Sequence, residues 1–430
     1  MQRTRTELLP GVWLTALHTE KFKTGCLSVS LLTQLTRETA AMNAVLPFVL
    51  RRGSTRLPDM EAISAALDDL YGAVISPAVR KLGEVQAIGF FSTFADDRAV
   101  GEPVFAPLAR EVCAMLIAPN THGGLLRQDY VTRERDVLLD RIRGRINDKR
   151  SYSVERLTEL MCCYEDYSVS HLGDEETAGA IHYQKLTRHY HEVLAASPVE
   201  IFYCGSLAAK DVARILTDLL SSMPRGELYD DIGTDIRMNA VEEDVRYFEE
   251  EMAVTQGKLA IGWRLGDQMD DPDLPALRVF NAVYGGCVTS KLFLNVREKL
   301  SLCYYAGSRL DLHKGLMLVS SGIEVENYDR ALAEIFAQLD AVRAGDFTDD
   351  DLEAAKRCLA SDLRAALDSP GALESYWLSR SLLGLDYDPA ELAALIEEVE
   401  RAQVIAAAQS VVCDAVYFLR GTEAEDDGTV

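Results

Sequence analysis

Gly285-Gly286-Cys287-Val288-Thr289-Ser290-Lys291-Leu292-Phe293, followed after a short gap by Val296-Arg297-Glu298-Lys299-Leu300-Ser301-Leu302-Cys303-Tyr304, is the stretch that sets the frame for this chain. Working outward from it, apolar periodicity predicts a helix over 274–284 and a short one over 289–299. Strands are expected at 258–265, 303–309 and 316–323, and a further helix places Leu332, Ile335, Phe336 and Leu339 on one face. The same order of strand, helix, helix, strands and helix is found about 230 residues earlier, which marks a duplication too long in period for a solenoid. There the strand spans 26–35, the helices 38–50 and the segment carrying Met60, Ile63, Leu67 and Leu70, the strands 71–76 and 87–93, and the last helix 102–116. Between the copies, Asp230, Asp231, Glu242, Glu243, Asp244, Glu249, Glu250 and Glu251 make 226–251 polar. The expected organisation is therefore 1–225, an acidic linker at 226–251, and 252–430.

Composition narrows the function classes. At 430 residues the chain is long enough for two or three cored domains. A net charge of −24 argues against nucleic acid, whose phosphates require clustered Lys and Arg. No run approaches the roughly 18 apolar residues of a spanning helix, and the first residues, with Arg3, Arg5 and Glu7, do not read as a signal peptide or membrane anchor. The nine cysteines lack CxxC spacing, so a reducing cytoplasm is the expected compartment.

The string at 285–304 resembles the second half of the pitrilysin and insulinase family of zinc peptidases, whose pattern is a glycine-rich turn, S-[RK]-L-F, then R-E-K-x-x-L-x-Y. Thr255-Gln256, Pro58-Asp59-Met60, Asp68 with Tyr71-Gly72, and Leu186 with Tyr190 add to the match. The resemblance implies an α+β fold of two homologous halves, each an antiparallel-rich sheet covered by helices.

In the family's inverted motif, H-x-x-E-H, two histidines on one helix face bind zinc and the glutamate serves as general base. Aligned on Arg51-Arg52-Gly53-Ser54, this chain has Ala44 and Phe48 at the histidine positions and Pro47 at the glutamate. None can bind a metal or take a proton, and Pro47 is expected to kink or end its helix. The third ligand, a glutamate in the family, aligns with Arg141, which stays charged and offers no lone pair. Asp140 beside it is a lone carboxylate, too few for a zinc site. His189 and His191 are the only close histidine pair, and residues two apart on a helix point to nearly opposite sides. Cys162-Cys163 lack companion ligands and read as free thiols.

What is kept lies in the second half. The resemblance assigns Arg297 and Tyr304 to contact with peptide near the scissile bond, with Gly285 and Gly286 forming a turn that faces the substrate or simply ends a helix. It implies a non-catalytic subunit like those of bacterial paired proteins and the alpha subunit of mitochondrial processing peptidase, with no activity alone and with zinc in a homologous partner. A peptide- or protein-binding scaffold is the alternative, as a homodimer or beside elongation factor P modification.

Overall fold

The computed structural model describes residues 1–267 and 269–421. Among the described residues there are thirteen strands: β1 (Gln2–Leu9), β2 (Val12–His18), β3 (Thr24–Gln34), β4 (Val74–Leu82), β5 (Val85–Ala95), β6 (Thr121–His122), β7 (Leu125–Leu126), β8 (Val199–Gly205), β9 (Arg246–Met252), β10 (Gly257–Arg264), β11 (Cys303–Asp311), β12 (Leu316–Ile323) and β13 (Val412–Gly421). One sheet has the order β1-β2-β8-β3-β5-β4 and the other β11-β12-β10-β13-β9, while β6 and β7 form a minimal hairpin.

Strand pairing makes the duplication explicit. In the first sheet β2 runs parallel to β8, which pairs antiparallel with β3, then β5, then β4. In the second, β9 runs parallel to β13, followed antiparallel by β10, β12 and β11. The two are the same sheet built twice, with β1 added to the first, and the α+β reading of two homologous sheet-and-helix halves is borne out.

The chain nevertheless divides differently from the contiguous halves expected. One compact unit comprises 1–143, 169–234 and 367–384; the other comprises 144–168, 235–366 and 385–430. The reason is side-chain packing. In the first unit, Leu373 and Trp377 of the helix Pro370–Leu383 join Cys26, Phe202 and Cys204 in one apolar cluster. In the second, Leu157 and Met161 of the helix Lys149–Met161 pack with Ala260, Leu316, Leu318 and Tyr417. A Cβ on Gly262 would lie 2.3 Å from Met161 Sδ, so glycine there lets that helix reach the sheet. Nor is 226–251 simply a linker: its first part belongs to the first unit, and Arg246–Met252 is a paired strand on which Glu249 and Glu251 face outward while Glu250 turns in to Arg156 and Tyr417. The proline expectation also fails in part. The helix Ala40–Leu50 runs three residues past Pro47, whose ring sits among Leu31, Leu46, Leu50 and Ile88, and burial of that apolar face sustains it.

Candidate functional site

Ala44, Pro47 and Phe48 all lie on the helix Ala40–Leu50, where Ala44 and Pro47 are buried and Phe48 is partly exposed. Arg141 is in the last turn of the helix Gln128–Gly144. The fold brings these two helices together at the positions aligned with metal ligands: the Arg141 guanidinium lies 4.6 Å from the Phe48 ring centroid. A cation over an aromatic face thus stands where the resemblance expected a histidine and a glutamate. A second link between the same helices joins Arg52 to Glu134 Oε1 at 2.5 Å, with Glu134 nearly buried. The donor set does not fit zinc, since alanine, proline and phenylalanine carry no ligand atom and arginine is already a cation. Among the described residues, no three His, Cys, Asp or Glu side chains gather as a metal site. Arg141→Ala is expected to cost about 0.5–1 kcal/mol, the worth of an exposed cation–π contact, read as a small drop in urea midpoint.

The second-half residues do not behave as one group. In β11 the pairing register shifts between Cys303 and Tyr305, so Tyr304 is the extra residue of a bulge on an edge strand and its ring is exposed. Bulges of this kind re-aim side chains out of the sheet. Its hydroxyl donates to Glu324 Oε1 at 2.6 Å, and that bond raises the phenol pKa, so the proton stays on oxygen. Arg297 is partly exposed, 4.7 Å from the Phe293 ring centroid and 3.5 Å from Glu298 Oε1, a loose contact that leaves donors available. Gly286 is exposed, but Gly285 is buried. A Cβ on Gly285 would fall 2.6 Å from Ser308 Oγ and 2.8 Å from Ser308 N, so this glycine serves close packing against β11 and not a peptide. Gly285→Ala should cost about 1–3 kcal/mol by overpacking, visible as a lower thermal midpoint.

The histidine pair separates as its spacing requires. His189 is buried and His191 exposed. His189 belongs to a polar network that the sequence reading missed: its Nε2 lies 2.6 Å from Asn43 Oδ1, and Asn43 Nδ2 donates to Thr33 Oγ1 and Gln86 Oε1. The signal was Asn43 itself, a lone amide in an otherwise apolar helix. Burial pulls the His189 pKa down to about 4, and the imidazole is neutral at pH 7.

A second buried network occupies the other unit. Arg264 Nη2 and Nη1 meet Glu165 at 2.6 and 3.0 Å, Arg264 Nε meets Asp414 at 2.9 Å, and Lys314 Nζ meets Glu165 at 2.7 Å. Arg246 also donates to Asp414. Arg264 and Lys314 are fully buried.

Residues 180–359 match the family model described as Peptidase M16 inactive domain. A Bacillus subtilis protein named probable inactive metalloprotease YmfF is 31% identical over 417 residues, 96% of each chain. Among solved structures, a conserved protein from Enterococcus faecalis superposes with TM-score 0.87 at 28% identity, covering 99% of this chain and 100% of that one. A Peptidase M16 inactive domain from Pseudomonas fluorescens shares the fold with TM-score 0.80 at 16% identity, over 99% and 100% of the two chains. With these relatives alongside, the chain belongs to the M16 peptidase family as an inactive metalloprotease homologue.

Proposed function

We propose that this chain is the non-catalytic subunit of a two-component zinc peptidase: a homologous partner bears H-x-x-E-H and the zinc, and this chain supplies Arg297 and Tyr304 to the bound peptide. The observation that supports it most is Tyr304, projected from a bulge with its hydroxyl protonated and bonded to the partly exposed Glu324 carboxylate. A phenol so placed can turn from Glu324 to a peptide carbonyl whose oxygen gains charge during attack. Arg297, with a planar fork of donors, suits neighbouring backbone carbonyls. Nothing in the first half competes for the metal, because Arg141 brings positive charge to the ligand position.

The test is reconstitution with a chain of similar size that carries an intact H-x-x-E-H and is encoded beside this one. A fluorogenic peptide should be cleaved by the mixture, with both chains co-eluting on size exclusion, and by neither chain at a comparable rate alone. Full activity of the partner by itself, unchanged on mixing, would contradict the proposal.

A further inference from the structure

The first unit contains a cavity of about 170 Å³, lined by Gln34, Thr36, Thr39, His189, Tyr229 and Asp231, together with Val193 and Ile232. It lies away from the Phe48 and Arg141 pair, and nothing in the peptidase reading uses it. One wall is the start of the acidic stretch after the first half. That stretch is clipped in place by Gly226 N to Ala195 O at 3.0 Å, Tyr229 N to Ala196 O at 2.9 Å and Gly233 N to Gln34 Oε1 at 3.1 Å.

Hydrogen-bond direction fixes what His189 presents to this space. Gln86 Nε2 donates to the carbonyls of Ala40 and His171, which leaves Gln86 Oε1 as an acceptor. Asn43 must then face Gln86 Oε1 with its amide nitrogen, at 2.9 Å, and turn Oδ1 toward His189. An acceptor at 2.6 Å requires the proton on His189 Nε2. Nδ1 therefore carries a lone pair, and it has no partner among the described residues. A side chain only 8% exposed that lines the cavity, locked in one tautomer by four linked groups, thus carries an acceptor without a partner among the described residues.

The rest of the lining has the same polarity. Asp231 makes no ion pair among the described residues. The Thr36 and Thr39 hydroxyls share one hydrogen bond of 2.8 Å, so a lone pair remains on each oxygen for an incoming donor. Gln34 presents a carbonyl oxygen that already accepts from Gly233. No lysine or arginine lines the cavity; Lys185 and Glu192, the charges felt by His189, oppose one another. An acceptor-rich site with one unpaired carboxylate selects a cation with several N–H donors. The volume equals roughly six waters at liquid density, enough for an ammonium on a short alkyl chain lying along Val193 and Ile232.

We propose that this cavity binds a primary ammonium group, with His189 Nδ1, Asp231 and the Thr36–Thr39 hydroxyls as its acceptors. The group belongs either to a free alkylamine or to a lysine side chain of a peptide.

Calorimetric titration of the full chain tests this. n-Butylammonium should bind saturably, and butyltrimethylammonium, which has the charge but no N–H, should bind at least about tenfold more weakly, a difference of roughly 1.4 kcal/mol. Asp231→Asn, at an exposed position that leaves the fold intact, should weaken n-butylammonium by a similar factor. In 15N-histidine-labelled protein, saturation should move the Nδ1 resonance of one neutral histidine. An N-acetyl-Gly-Lys-Gly-amide peptide and its Nε-acetylated form separate the two sources: binding by the unmodified peptide alone assigns the site to peptide lysine, and binding by butylammonium without the peptide assigns it to a free amine. No saturable binding by either, equal binding by the trimethyl probe, or an unaffected Asp231→Asn variant overturns the proposal.

Discussion

Glu165→Ala is expected to destabilise the protein by about 3–5 kcal/mol, the cost of removing one partner from a buried ion network. Glu165 is the carboxylate that holds both Arg264 and Lys314. Without it Arg264 keeps Asp414, which Arg246 already engages, and Lys314 keeps the Asp235 carbonyl but loses its carboxylate partner Glu165. The loss also releases segment 144–168, the part of the first copy that belongs to the second unit. A Glu165→Ala, Lys314→Met double variant should recover part of the loss, since it removes one of the buried cations that Glu165 neutralised; urea denaturation followed by circular dichroism measures both. Equal midpoints for wild type and Glu165→Ala would remove this network from the account. The pH dependence has a defined sign. Burial pushes the Glu165 carboxyl up, but hydrogen bonds from Arg264 and Lys314 outweigh it and hold the pKa below the ordinary glutamate value. A lowered carboxylate pKa gives stability that is complete above the unfolded value, about 4.3, and that is lost as pH falls through the folded value. The wild-type protein should therefore lose stability as pH falls from the unfolded value down through the folded one, and in Glu165→Ala this part of the pH dependence disappears.

Tyr304→Phe should reduce peptide cleavage by the reconstituted complex by roughly 10²-fold and Arg297→Ala by a similar factor, as expected for removal of one preorganised donor to a developing oxyanion. The decisive feature is where the loss appears. Both side chains are partly or largely exposed, so neither substitution should change the denaturation midpoint of the chain by more than about 0.5 kcal/mol. Complex formation should also survive. A fall in turnover with unchanged stability and assembly separates substrate contact from packing, and unchanged turnover would reassign both residues to the surface.

The residues that fixed the family were legible because they are local. The run from Gly285 to Tyr304 could be read directly, and Ala44, Pro47, Phe48 and Arg141 fell into place once Arg51-Arg52-Gly53-Ser54 gave the register. The contact between Phe48 and Arg141 shows that this alignment pairs positions that are neighbours in space. Long-range choices were not legible. The helices Lys149–Met161 and Pro370–Leu383 have ordinary amphipathic sequences, and only the complementary apolar patches around Tyr417 and Cys204 decide which sheet each covers. Arg246–Met252 looked like a solvated linker because two of its glutamates, Glu249 and Glu251, occupy the exposed side of an edge strand, and nothing local showed that Glu250 meets Arg156 and Tyr417. Gly285 carried the same letter as Gly286, yet burial against Ser308 separates their roles.

The most direct test of the central claim, that this chain holds no catalytic metal of its own, is metal content and peptide hydrolysis measured together on the purified chain in the presence of added zinc. The predicted result is substoichiometric zinc after gel filtration and no chelator-sensitive cleavage. One tightly bound zinc per chain, with hydrolysis that a chelator abolishes and zinc restores, would contradict it.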